Sequence, residues 1–217
     1  DTAIGESVAA GASHIAISMS HRGRINVLAR VMGKPVEHIL GEFQGRHDHL
    51  GDVSTGDVKY HLGFESDRVL PDGRAVHLSL VPNPSHLEIV NPVLQGYTRA
   101  HQRQEDAPAV RDERAVVPIC IHGDAAFPGE GVVAETFNLA RLRGYRVGGT
   151  LHVIVNNQVG FTTDPTDGRS TRFASDLAKG FEMPVIHVNG DDAEACVIAM
   201  RIAVAYRTKF GRDFLVD

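Results

Sequence analysis

The chain has 217 residues, a formal net charge of −5 from 22 Lys and Arg against 27 Asp and Glu, and 42% hydrophobic residues. That apolar content can supply a sizeable core, and a charged fraction of 23% is ordinary for a globular protein. The negative balance leaves no basic field for nucleic acid or an anionic membrane, and no apolar run approaches the roughly 18 residues of a membrane span.

Short runs rich in Val and Ile predict strands over residues 14–19, 75–81, 116–121, 151–155, 185–188 and 214–216. They scarcely alternate with polar residues, as strands covered on both faces should not. Between them lie segments of helical period. Asn91-Pro92 reads as a helix start, with Asn as cap and Pro at the first helical position. Residues 131–142 carry Val133, Phe137 and Ala140 on one face, with Gly144 as the stop. Asp191 and Glu194 suit the start of a helix whose inward stripe is Ala195, Ile198, Ala199, Ile202 and Tyr206. Residues 44–73, rich in Gly, His and Asp and without sustained period, read as a long surface loop, a kind usually either functional or disordered. Alternation of strand and helix gives an α/β fold with a doubly wound, mainly parallel sheet and helices on both faces. One domain is the simplest count. The chain opens at Asp1 without Met and stops inside Phe214-Leu215-Val216, which suggests a piece of a longer polypeptide.

Cys120 and Cys196 both sit in apolar runs, outside any CxxC, and read as free thiols in a reducing compartment. Twelve histidines point to a polar, proton-handling site. The strongest local signal is Ile119-Cys120-Ile121-His122-Gly123-Asp124-Ala125-Ala126, followed by Val153-Ile154-Val155-Asn156-Asn157-Gln158-Val159. Each is an apolar strand ending in polar groups, where ligands bind in open α/β sheets. Gly123 allows close approach of a ligand, Asp124 offers a carboxylate oxygen and Asn157 an amide oxygen. With a backbone carbonyl and two phosphate oxygens they could complete an oxygen octahedron around Mg²⁺. Gly129-Glu130-Gly131 opens a helix whose N-terminus can hold an anion.

Gly123-Asp124 followed by Asn156-Asn157 resembles the fingerprint of thiamine-diphosphate enzymes. Ala125 replaces the fingerprint's last glycine, a departure that matches the 2-oxoglutarate dehydrogenase branch. Ser20-His21-Arg22-Gly23-Arg24-Ile25-Asn26-Val27-Leu28, Gly56-Asp57-Val58-Lys59-Tyr60-His61-Leu62-Gly63 and Asn83-Pro84-Ser85-His86-Leu87-Glu88 also look like segments of that branch. So do Asn156-Asn157-Gln158-Val159-Gly160-Phe161-Thr162-Thr163 and His187-Val188-Asn189-Gly190-Asp191-Asp192, in the family's order and over nearly the whole chain.

The resemblance implies the decarboxylating component of a 2-oxoglutarate dehydrogenase, with thiamine diphosphate and Mg²⁺ as cofactors. Residues 1–217 would then be its diphosphate-binding domain, truncated at both ends and lacking the pyrimidine-binding domain, whose glutamate activates the cofactor. Asp124, Asn157 and the Val159 carbonyl would bind Mg²⁺, Arg22 the diphosphate, and Gly123, Ala125, Ser85 and Leu87 would line the cofactor. His21 and His61 would bind the substrate carboxylate and move protons. Implied partners are 2-oxoglutarate, a lipoyl-bearing succinyltransferase subunit and a second copy in a homodimer, in bacterial cytoplasm or the mitochondrial matrix.

Plainer roles stand beside these. His21 could cap a short helix, His61 could be a solvated loop residue, and Ser85 with Glu88 has the spacing of a capping box. His122 could orient Asp124 or be a core histidine. Asp191-Asp192 favours capping over metal binding, and His38, His47, His49 and His101 read as surface residues. Three other functions compete: a 2-oxoadipate-specific relative, a non-catalytic binding or interaction module, and a zinc hydrolase built on His21, His61, His86 and Asp124.

Overall fold

The computed structural model describes residues 1–20, 22–44, 61–104 and 107–217. Seven strands form one sheet in the order β2-β3-β1-β6-β7-β9-β8. They are β1 (His14–Met19), β2 (Phe64–Val69), β3 (Ala75–Leu80), β6 (Val116–Gly123), β7 (Leu151–Val155), β8 (Val185–Ile186) and β9 (Phe214–Val216). All pairs are parallel except β2–β3, and β6 and β7 stand at the centre as their apolar runs predict. A separate antiparallel ribbon joins β4 (Arg103–Gln104) and β5 (Ala107–Arg111).

Successive residues of each strand face opposite layers. On one side Ile15, Ile17, Val117, Ile119, Leu151 and Phe214 pack with α1 (Thr2–Ala9), α3 (Val36–Phe43), α8 (Ala193–Phe210) and the π-turn of Val27–Val31 that continues α2 (Arg24–Asn26). On the other, Ala16 and Cys120 meet α4 (Val90–His101). Ile154 and Leu215 on that same side pack with α5 (Ala126–Gly129), α6 (Gly131–Leu139) and α7 (Asp176–Lys179). Helices therefore cover both faces of a mainly parallel sheet, as the strand–helix alternation requires. Among the described residues no helix is long and apolar enough to cross a membrane.

Five local expectations are corrected. Part of the expected loop 44–73 is the edge strand β2, whose Phe64, Ser66 and Arg68 are half-buried while Glu65, Asp67 and Val69 are exposed. A strand with one wet face and charged outward residues does not register as a buried run. Helix α4 starts two residues early, with Ile89 at the cap position, and buried Asn91 donates instead to Glu88 (2.7 Å). Helix α6 ends at Leu139 rather than near Gly144. In α8 the inward residues are Ala199, Ala203 and Val204, whereas Ile198 and Ile202 are exposed. Small side chains let this helix approach the sheet closely, so its contact face is narrower than its apolar stripe. Finally, strand 185–188 is only Val185–Ile186. Helix α8 starts within one residue of the expected Asp191: Asp192 accepts from the Ala195 amide (2.9 Å), a cap of about 1 kcal/mol, and Gly211 closes the helix in the left-handed conformation.

Candidate functional site

The parallel strands β1, β3, β6 and β7 end at a common edge, and every described candidate residue lies on segments leaving that edge. Register fixes this arrangement: Gly123 pairs with Val155, so Asp124 and the Asn156-Asn157-Gln158-Val159 segment leave adjacent strands side by side. The two turns touch, since a Cβ placed on Gly160 would lie 3.4 Å from the Ala125 Cβ. A Cβ on Gly123 would meet no atom of the described residues within 4 Å, which leaves this strand end able to take a ligand close to its backbone.

Gln158 takes a left-handed backbone (φ 58°), uncommon without glycine and frequent where geometry serves function. The turn lets the Asn157 side-chain oxygen accept from the Val159 amide (3.1 Å). It also presents that oxygen and the Val159 carbonyl to one cation. The Arg22 guanidinium donates to both, at 3.3 and 2.6 Å. Asp124 is buried, with Oδ2 3.5 Å from the Arg169 guanidinium and Oδ1 lacking a hydrogen-bond partner among the described residues. A buried carboxylate oxygen without a donor suits a cation ligand, because an unpaired buried charge is otherwise costly. Arg22 and Arg169 against Asp124 leave local positive charge, which favours a polyanion.

The other wall comes from β1 and β3. Arg24 is fully buried and donates to the carbonyls of Met19 (3.1 Å), Leu62 (3.0 Å) and Val81 (2.8 Å). Burial pulls its pKa down to about 10, leaving it charged at neutral pH. One side chain thus binds the ends of two strands to the segment carrying His61. That segment packs closely: a Cβ on Gly63 would come within 2.9 Å of Pro82 Cδ. The His61 carbonyl accepts from the Asn83 amide (3.0 Å), joining it to the turn with Ser85 and Leu87. His61 is buried rather than solvated, while Ser85 is exposed and Leu87 half-buried. His86 is largely exposed, its ring 3.9 Å from Glu130 at the start of α6.

The Ser85–Glu88 capping box does not form. No side chain caps α4, and Glu88 instead accepts from the His122 ring (2.6 Å) and from Asn91 (2.7 Å). His122 therefore does not orient Asp124 directly; it faces Glu88 and, at 3.0 Å, His152. Burial would raise the Glu88 carboxyl, but His122 and Asn91 together hold it below the usual carboxylate range. Burial pushes His152 down, against the opposing pull of Asp213. Sequence reasoning assigned no role to Arg24, Arg169, His152 or Asp213, and gave Glu88 only the capping box. His21, His47 and His49 lie outside the described residues. Of the Asp191-Asp192 pair, Asp192 caps the start of α8.

The sequence model described as "Dehydrogenase E1 component" matches residues 2–217. Among similar proteins are the "2-oxoglutarate dehydrogenase E1 component" of Exiguobacterium sp., 52% identical over 229 residues, and that of Bacillus subtilis, 50% identical over 229 residues. Each alignment covers 100% of this chain and 24% of the relative. The protein of the same name from Geobacillus kaustophilus is 53% identical over 213 residues, covering 93% of this chain and 22% of the relative. The chain thus spans about a quarter of the length of the curated relatives it matches. With a family match over nearly all its residues, the chain belongs to the dehydrogenase E1 component family.

Proposed function

We propose that these residues form the diphosphate- and metal-binding part of a thiamine-diphosphate-dependent enzyme. Its reaction is oxidative decarboxylation of 2-oxoglutarate, with transfer of the succinyl group to a lipoyl group on a partner subunit. The observation that supports it is the register that sets Asp124 and the Asn157–Val159 turn on adjacent strand ends, with Arg22 bonded to Asn157 and Val159 and Arg169 beside Asp124. Curated relatives at about half identity bear the name of that enzyme's first component.

In this reading Asp124, Asn157 and the Val159 carbonyl hold Mg²⁺ through oxygen, the donor type that cation prefers. Arg22 binds the diphosphate, an anion whose paired oxygens a planar guanidinium fork suits. Gly123 and Ala125 floor the site, and Ser85 and Leu87 lie along the cofactor from the β3 side. Bound there, the cofactor supplies the electron sink for decarboxylation; the protein supplies orientation and proton transfer. His61, positioned by Arg24 and Asn83, holds the substrate carboxylate and moves protons, together with His21. The glutamate that activates the cofactor's aminopyrimidine belongs to a pyrimidine-binding domain outside these 217 residues. The full-length protein works as a homodimer in the bacterial cytoplasm or the mitochondrial matrix.

The test is turnover by the full-length protein with thiamine diphosphate, Mg²⁺ and an artificial electron acceptor. A kcat/KM for 2-oxoglutarate at least tenfold above that for 2-oxoadipate is expected, the scale of about one methylene in a fitted pocket. A preference for 2-oxoadipate would transfer the assignment to that substrate, and no turnover of either would overturn it.

A further inference from the structure

Glu88 occupies a junction that the cofactor site itself does not explain. It follows the Ser85-His86-Leu87 turn and is buried. Its backbone is left-handed (φ 68°), one of four such non-glycine residues described. A glutamate placed so must be over-determined by its surroundings, and it is. Its Oε2 accepts from the His122 ring at 2.6 Å and from Asn91 at 2.7 Å. His122 stands two residues before Asp124, where β6 runs out toward the proposed metal site. A single carboxylate thus links the turn from β3 to the strand end from β6.

The link is rigid because His122 cannot turn away. Phe127 lies edge-on to its ring (4.9 Å between centroids), and His152 stacks behind it with facing nitrogens 3.0 Å apart. His152 is held in turn by Phe137, edge-on at 5.1 Å, and lies 3.5 Å from Asp213, which accepts from the Thr150 amide (2.8 Å). The row Glu88–His122–His152–Asp213 therefore runs through the interior from the site's edge of the sheet to the segments that begin β7 and β9. A buried polar row of this kind costs desolvation and often yields little net stability, so its better-attested use is to fix one arrangement.

We propose that Glu88 is a positioning residue: its bond to His122 sets the distance between the Ser85–Leu87 turn and Asp124, and so holds the cofactor's two supports in register. This rests on the cofactor reading above. Loss of the bond leaves the metal ligands Asp124, Asn157 and Val159 and the diphosphate-binding Arg22 in place, so the effect falls on the reacting geometry more than on affinity. Misplacement by about 1 Å can cost on the order of 10²-fold in rate.

The experiment is a double-mutant cycle in the full-length protein at saturating thiamine diphosphate and Mg²⁺, using Glu88→Gln, His122→Gln and the pair. Each single change should lower kcat about 10- to 100-fold, with the cofactor's Kd within about threefold. The pair should be no slower than the slower single, because one link can be lost only once. Glu88→Asp, which keeps the charge and falls one methylene short, should show the same loss and guards against a variant that does not fold. Wild-type kcat in Glu88→Asp, additive losses in the pair, or losses matching the unfolded fraction by circular dichroism would each overturn the proposal. So would one equivalent of tightly bound zinc that Cys120→Ser removes, since the Cys120 thiol and the two facing imidazoles lie within 4.8 Å and would then be ligands. A wild-type protein that binds no thiamine diphosphate would instead remove the reading beneath it.

Discussion

Arg22 donates to the Val159 carbonyl at 2.6 Å, and the same guanidinium nitrogen reaches the Asn157 side-chain oxygen at 3.3 Å. The two oxygens assigned to a divalent cation are thus already gathered around a positive charge. A Mg²⁺ ion held by these oxygens would leave the Arg22 guanidinium to bind the diphosphate. Arg22→Gln should weaken thiamine diphosphate binding about 10- to 100-fold, the scale of one or two charge-assisted hydrogen bonds. The dependence of binding on Mg²⁺ should persist. Unchanged affinity in a fluorescence or calorimetric titration would place the diphosphate elsewhere.

Arg24 gives a stability test. Its three acceptor carbonyls belong to the end of β1, the residue after β3 and the His61 segment. Arg24→Met keeps much of the volume and orphans buried acceptors at about 1–3 kcal/mol each. Thermal unfolding of the full-length protein should shift down by several degrees, with turnover lost alongside because His61 loses its anchor. A variant of wild-type stability would show that the carbonyls find other donors.

His14 lies across the sheet from this chemistry and titrates with folding. Its ring bonds to the Ser79 hydroxyl (2.9 Å) and sits edge-on to His77, His101 and Tyr97, with Asp67 paired to His77. Burial, then the charges of His77 and His101, lower its pKa to about 4. The unfolded side chain titrates near 6.5, so the unfolded state binds more protons between those values and stability falls as pH drops from about 6.5 toward 4. With solvent screening the loss by pH 5 should be about 1 kcal/mol. His14→Asn should flatten the profile of Tm against pH between 7 and 5. An unchanged slope would assign the pH dependence to other groups.

For His61 the expectation is a split between binding and turnover. Its place is set through its own carbonyl and that of Leu62, contacts that His61→Ala retains. Cofactor affinity should stay within a few-fold while kcat falls about 10²–10⁴-fold, the usual contribution of a general acid–base group. Loss of cofactor binding with kcat intact would make His61 a ligand-binding residue only.

The sheet was legible in the sequence where burial on both faces wrote continuous apolar runs, as in 116–121 and 151–155. It was not legible in β2, whose outward Glu65 and Asp67 look like loop residues until β3 pairs with them. Asp124 and Asn157 could be found because each closes such a run, and register then brings the runs together. Glu88, His152 and Asp213 could not, because their partners lie 34, 30 and 61 residues away and no local pattern couples them. Arg24 escaped for another reason: a lone arginine in a polar motif reads as solvated, and only the meeting of three carbonyls explains its burial. Arg169 likewise sits in a stretch without periodicity, and only the fold sets it beside Asp124.

The most direct test of the account is calorimetric titration of the full-length protein with thiamine diphosphate, with and without Mg²⁺, for the wild type, Asp124→Ala and Asn157→Ala. Asp124 carries the only full negative charge among the proposed ligands, and its buried Oδ1 has no donor among the described residues. Its removal should abolish the Mg²⁺-dependent part of binding. Asn157→Ala should weaken that part less, since a neutral amide contributes less to a divalent cation's field. Mg²⁺-dependent binding of wild-type affinity in Asp124→Ala would contradict the account, because the cation would then sit elsewhere than between the ends of β6 and β7.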